Sequence, residues 1–147
     1  MAAVLMVGSV GVGKTTLTQR LTDRDIEYVK TQATYREGDV FDTPGEYLDG
    51  PFHKQALQLT SAEADVILFL LAATALECRI PPGFSSFFMK PVIGVVTKKD
   101  MATEDEIERS ISLLEQTGAH PVLVVSAMTG EGIEELSQLI NKEGGTS

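Results

Sequence analysis

Three observations predict an α/β fold with a mostly parallel central sheet and helices on both faces. Apolar runs bounded by turn residues recur as "AAVLMV", "DVILFLLAA", "PVIGVVT" and "PVLVVS", and continuous runs of this kind fit strands covered on both faces. Segments with helical spacing alternate with them, and alternation of this type gives parallel sheets with crossover helices. The stretch "GSVGVGKTT", Gly8 to Thr16, sits between the first apolar run and the helical-looking "LTQRL", which is the strand-then-helix setting of a phosphate-binding loop.

The first run makes a strand, and the loop behind it matches G-x-x-x-x-G-K-[ST]. Gly8 and Gly13 permit backbone angles that other residues resist, so the N–H groups of Ser9, Val10, Gly11, Val12 and Gly13 can turn inward on phosphate oxygens. A helix starting near Lys14 adds its positive dipole end. Lys14 can reach the β- and γ-phosphates, the Thr15 hydroxyl is placed to ligate magnesium, and Thr16 completes the set. The competing reading is a glycine-rich turn with a solvent lysine.

From Asp23 to Glu37 no helical or strand period holds, which predicts a mobile loop with a short edge strand in "EYVKT". "GDVFDTPG" is a short strand, Val40 and Phe41, leading into Asp42. "VILFLLAATAL", Val66 to Leu76, is about half the ~20 residues that span a bilayer and is predicted as a buried strand with its exit. "PPGFSSFFMK", Pro81 to Lys90, is a loop that either tucks onto the domain by its phenylalanines or docks a partner. "PVIGVVT" is the next strand. In "TEDEIERSISLLEQTG", Thr103 and Glu106 form a capping box, Gly118 ends the helix, and Ile107, Ile111 and Leu114 make its buried stripe. "PVLVVS" follows as a strand, and "EGIEELSQLINK" closes the fold with Ile133, Leu136 and Ile140 on one helical face.

A chain of 147 residues, 43% hydrophobic, is expected to form one domain over residues 1–147. Its formal net charge of -9 argues against binding DNA, RNA or an anionic membrane. Cys78 is the only cysteine, so no intramolecular disulfide forms, and it reads as a small hydrophobe more than a catalytic thiol. With the phosphate loop starting at Gly8, no signal peptide fits upstream and a cytoplasmic protein is expected.

Three further motifs follow at the mouths of predicted strands. In "DTPG", Asp42 can bind magnesium through water and the Gly45 N–H can meet the γ-phosphate. In "TKKD", Thr97 to Asp100, the carboxylate of Asp100 can accept the N1 and N2 hydrogens of guanine, a pair adenine does not offer, while Lys98 lies along the base plane. In "SAMTGEGIEEL", which begins at Ser126, the Ala127 N–H can meet guanine O6. Thr97 and Ser126 also admit a plainer reading as caps of strand ends. His53 and His120 show no spacing that suggests a metal site.

Taken together, these motifs resemble the small Ras-like GTPases of the P-loop class across essentially the whole chain. "KTQATY" before "FDTPGEYLDG", then "PPGF", "KPVIGVVTKKD" and "SAMTGEGIEEL", resemble more closely the EutP/PduV family of ethanolamine- and propanediol-utilisation proteins. That resemblance implies a Ras-like P-loop NTPase fold, Mg2+ and GTP or GDP as cofactors with ATP as an alternative, and an association with bacterial microcompartments. It implies Thr31 as the magnesium-binding switch threonine, with Thr34 as the fallback. It also implies a shell protein or enzyme as partner of the switch loops. Lys14, Thr31, Gly45 and Glu46 are then the residues around the γ-phosphate, and Thr15, Thr31 and Asp42 those around magnesium.

The departures carry information too. Thr97 stands where asparagine is commonest, Glu46 where Ras-like enzymes place a water-orienting glutamine, and Val10 where they need glycine. Gly11 stands where potassium-activated relatives carry asparagine. The expected function is therefore slow GTP hydrolysis serving a binding cycle. Its rival is a kinase passing the γ-phosphoryl group to acetate, an activity proposed within the EutP family, for which Lys30 and Arg36 are the nearby cationic candidates. A recruiting protein with a vestigial nucleotide site is a third reading, against which the intact Lys14, Thr15, Asp42 and Asp100 speak.

Overall fold

The structure, a computed structural model, describes residues 3–8, 14–22, 27–28, 64–78, 80 and 82–144, except the side chains of Lys14, Thr15, Thr22, Glu27, Tyr28 and Phe87. Its strands are β1 (Ala3–Val7), β2 (Glu27–Tyr28), β3 (Val66–Ala72), β4 (Val92–Thr97) and β5 (Val122–Val124). They form one sheet in the order β2-β1-β3-β4-β5, with every pair parallel. The helices are α1 (Lys14–Thr22), α2 (Glu104–Gln116) and α3 (Ile133–Glu143).

Successive strand residues point to opposite faces, and this alternation divides the core in two. Leu5, Val7, Ile67, Phe69, Leu71, Val92 and Val96 face Leu114 of α2, with Ile107 and Ile111 packed against that side. Val4, Met6, Val66, Leu68, Leu70, Ile93 and Val95 face Leu17 and Leu21 of α1 and Ile133, Leu136 and Ile140 of α3. Helices thus cover both faces. The connections explain the split: α1 leads from β1 to β2 and α2 from β4 to β5, in opposite directions along the sheet, and right-handed crossovers in opposite directions fall on opposite faces.

Gly94 lies in the row of Val92 and Val96, where a Cβ would stand 2.8 Å from a methyl of Val122 and 3.5 Å from the Leu114 Cβ. The bare backbone there makes room for the Val122 side chain of β5, and for Ala119, whose Cβ would stand 3.3 Å from such a Cβ. The capping box of α2 forms as the sequence predicts: the Thr103 hydroxyl accepts the Glu106 N–H at 3.2 Å and the Glu106 carboxylate accepts the Thr103 N–H at 2.9 Å.

Of the two readings of Pro81 to Lys90, the structure bears out the tucked loop. Phe84 to Phe87 form a 3-10 turn, and Phe84 and Phe88 bury against Phe69 with ring centroids 5.9 Å from it in both cases. Cys78 is half-buried, and burial pushes its thiol pKa up, away from the reactive thiolate. The edge strand foreseen in "EYVKT" is present as Glu27–Tyr28, parallel to β1 and outermost among the described strands. The predicted strand at Val40 and Phe41 lies outside the described residues. Within them, no helix is long and apolar enough to cross a membrane.

Candidate functional site

Because the paired strands are parallel, their carboxyl ends share one edge of the sheet. The register aligns Val7 with Phe69, Ala72 with Thr97, and Val96 with Val124, so the chain leaves at this edge into Gly8, Lys98 and Val125. In the order β2-β1-β3-β4-β5 the chain runs from β1 to β2 one way along the sheet and from the neighbouring β3 to β4 the other way, and the crevice between two such strands is where ligands of open α/β sheets bind. Gly8 is buried and hydrogen-bonded, and α1 begins six residues later at Lys14. Thr16 is half-buried in the first turn of α1. Ser9, Val10, Gly11, Val12 and Gly13, between them, lie outside the described residues, as do Thr31, Asp42, Gly45 and Glu46; Lys14 and Thr15 are described as backbone only.

The ends of β4 and β5 are described in full. Thr97 is buried, and its carbonyl accepts the Ala73 N–H at 2.8 Å. Lys98 then adopts a left-handed conformation, φ 60° and ψ 39°, that turns the chain sharply into a 3-10 turn over Lys99–Met101. A residue with a Cβ held there is uncommon and marks a site worth attention. The turn brings the Lys99 N–H onto the Val125 carbonyl at 3.1 Å, which ties the β4 exit to the β5 exit.

Across that tie, Ser126 and Asp100 meet. The Ser126 hydroxyl donates to Oδ1 of Asp100 at 2.7 Å and accepts the Thr129 N–H at 3.2 Å. Ser126 is fully buried while Asp100 is exposed. A hydroxyl has one proton to donate, so Oδ1 accepts that hydrogen bond and the exposed carboxylate keeps acceptor capacity to spare. Within the loop the Ser126 N–H donates to the Glu131 carbonyl at 2.9 Å and the Ser126 carbonyl accepts the Gly130 N–H at 2.8 Å. No described group accepts the Ala127 N–H. An ion pair between Lys99 and Glu131 spans the two loops at the surface, where such pairs contribute little.

Sequence reasoning missed Arg20. Its Nε donates to the Ala127 carbonyl at 2.7 Å and a terminal guanidinium nitrogen donates to the Met128 carbonyl at 3.0 Å. The partners lie 107 and 108 residues apart in the chain, and no local motif signals a pairing that distant. Among the described residues no cluster of histidine, cysteine or carboxylate could hold a metal ion.

Comparison with known proteins places these features in context. The pattern of the PduV-EutP family, described as "Ethanolamine utilisation - propanediol utilisation", matches residues 1–142. The chain is 38% identical to the propanediol utilization protein PduV of Citrobacter freundii, over 96% of this chain and 94% of that one. It is 33% identical to the probable acetate kinase EutP of Escherichia coli (strain K12), over 92% of this chain and 87% of the other. Among solved structures, the translation elongation factor SelB of Methanococcus maripaludis superposes with a TM-score of 0.65 at 22% identity, covering 98% of this chain. This chain spans about a third of that protein, 33%. The FeoB G-domain of Methanococcus jannaschii superposes with a TM-score of 0.60 at 18% identity, covering 98% of this chain and 97% of the domain. The fold is that of the G-domains.

Proposed function

This chain belongs to the PduV-EutP family, and from that premise and the geometry of the β4 and β5 exits we propose that it binds a guanine nucleotide with magnesium at the carboxyl edge of the sheet and hydrolyses GTP slowly. The observation that carries the reading is the Asp100–Ser126 pair. A carboxylate held by a buried serine, with acceptor capacity to spare, suits the two hydrogens of guanine N1 and N2. The unaccepted Ala127 N–H, one residue on, suits guanine O6. At about 4.8 Å between neighbouring strands, the β4 and β5 exits lie roughly 10 to 14 Å from the β1 exit, a span that a nucleotide bridges and an orthophosphate does not.

In this reading Lys14 and the loop from Gly8 to Gly13 hold the phosphates, and Thr15, Thr31 and Asp42 hold magnesium. Bound there, the metal would neutralise charge on the β- and γ-phosphates. In the same reading the segments containing Thr31, Gly45 and Glu46 report the γ-phosphate to a partner, a microcompartment shell or enzyme component. Val10 crowds the γ-phosphate and Glu46 brings a negative charge toward it, so hydrolysis is slow and the protein acts as a switch in the cytoplasm.

The acetate-kinase reading has a specific observation in its favour, the name of the EutP relative. One assay separates the two: turnover with GTP and with ATP, each with and without acetate, following phosphate and acetyl phosphate. Guanine preference with phosphate release independent of acetate is expected. Acetyl phosphate formed from either nucleotide would replace the switch reading with the kinase.

A further inference from the structure

The base-reading loop, Ser126 to Glu131, is held by a residue 107 positions away in the chain from the first carbonyl it meets. Arg20 sits in the last turn of α1, the helix that begins at Lys14 behind the phosphate loop. Its guanidinium forks onto two successive carbonyls, Ala127 at 2.7 Å and Met128 at 3.0 Å. The peptide units of this loop are planar and trans, so fixing a carbonyl fixes the N–H on the opposite edge of the same plane. Three consecutive planes are fixed in this way. The Ser126 carbonyl is held by the Gly130 N–H, and the next two carbonyls are held by Arg20.

The third plane completes a connected path. Its carbonyl, that of Met128, accepts from Arg20; its N–H, that of Thr129, donates to the Ser126 hydroxyl at 3.2 Å; and that hydroxyl donates to Asp100 at 2.7 Å. The path runs from the phosphate-side helix to the carboxylate that reads the base. Gly130 supplies the turn beside it, at a φ of +88° that residues with a side chain rarely adopt. A bidentate guanidinium has the fork geometry for two acceptors at once, and a lysine ammonium does not.

We propose that Arg20 is a positioning residue for nucleotide selection, holding the Ala127 carbonyl directly and coupling α1 to the orientation of Asp100 through the Met128–Thr129 peptide and Ser126. This rests on the guanine-nucleotide reading above and goes beyond it by naming a residue that touches no part of the nucleotide. Without the fork, the second and third planes lose the donors on their carbonyls, Ser126 loses the fixed N–H that orients its proton, and guanine retention falls.

The test uses the full chain with magnesium, a fluorescent methylanthraniloyl-GDP for dissociation rates, and GTP against ATP for selectivity. Arg20→Ala should dissociate the GDP probe roughly tenfold faster and lower the GTP-to-ATP affinity ratio roughly tenfold, as expected for two lost charge-assisted hydrogen bonds at an exposed site. Arg20→Lys should recover less than half of the loss on a logarithmic scale, and it carries the test if the alanine variant does not fold. In a Ser126→Ala background, Arg20→Ala should add no more than about twofold, because both changes break one path.

A wild type that binds ATP as tightly as GTP overturns the guanine reading and this proposal with it. A wild type that selects guanine, with Arg20→Ala retaining both the ratio and the dissociation rate, overturns this proposal alone. So does a lower melting temperature with an unchanged ratio, since that outcome marks a purely structural contact. Fold-changes that multiply in the Ser126→Ala background overturn the path through Ser126.

Discussion

At Asp100 one carboxylate oxygen accepts a hydrogen bond from the Ser126 hydroxyl at 2.7 Å while the side chain stays exposed, so in the proposed reading the acceptor capacity left over is what selects a base. Asp100→Asn replaces a charged acceptor with an amide that presents both a donor and an acceptor. The guanine N1 and N2 hydrogens then lose a charged partner, and GTP binding should weaken by about 2 to 4 kcal/mol. Xanthosine triphosphate, with a carbonyl where guanine has its amino group, should gain relative to GTP. Calorimetric titration of both nucleotides checks this, and an unchanged GTP affinity would remove Asp100 from the base site. The sequence made this residue legible because "TKKD" and "SAMTG" each end an apolar run, so strand prediction alone brings them to one edge. Arg20 was illegible for the opposite reason. An arginine in the last turn of a helix is ordinary there, favoured by the helix dipole, and only the tertiary fold reveals the carbonyls it meets.

Among the elements, local chemistry was the most readable part of the chain. The capping box of α2 needs only Thr103 and Glu106 at their spacing, and both reciprocal bonds are present. Thr103→Ala should cost about 1 kcal/mol in urea unfolding and leave nucleotide affinity unchanged, since α2 lies on the face opposite α1. Gly132, at the start of α3, is a harder constraint. Its φ is +82°, and a Cβ would stand 2.6 Å from the Val124 carbonyl oxygen and 3.0 Å from a Val125 methyl. Gly132→Ala combines left-handed strain of about 1 to 2 kcal/mol with overpacking of about 1 to 3 kcal/mol. It should destabilise clearly more than Thr103→Ala in the same urea series. Equal losses would mean the α3 start relaxes around the new methyl group. Element ends were less readable. The run "PVLVVS" predicts six residues of strand, yet β5 spans only Val122–Val124, because the Ser126 N–H turns to the Glu131 carbonyl and draws the chain out of the sheet. "PPGFSSFFMK" kept two readings open in sequence, and Phe69, contributed by β3, decides between them.

For the whole molecule, the parallel sheet and its two covered faces follow from the apolar runs, because strands buried on both faces need apolar residues at every position. What the runs do not encode is which strands are neighbours, and that order decides which loops share a ligand. In the observed order the β1 exit and the β4 and β5 exits belong to one edge, so a ligand that touches both ends links segments distant in the chain. The formal net charge of -9 gives a triphosphate no attraction to the protein at large, so affinity has to come from donors gathered locally at that edge. Binding to the folded state alone stabilises it by about 2.7 kcal/mol at a ligand concentration 100 times Kd. For a domain of this size that corresponds to a rise of roughly 5 to 10 °C in Tm. GTP with magnesium should produce such a rise. Guanosine and tripolyphosphate, added together with magnesium at the same concentrations, should produce much less, because only a linked ligand makes its second contact at millimolar effective concentration. Calorimetric melting scans over matched concentration series read the difference. If the unlinked mixture stabilised the protein as much as GTP does, the phosphate and base ends would be two independent sites, and the edge that the strand order assembles would not act as one.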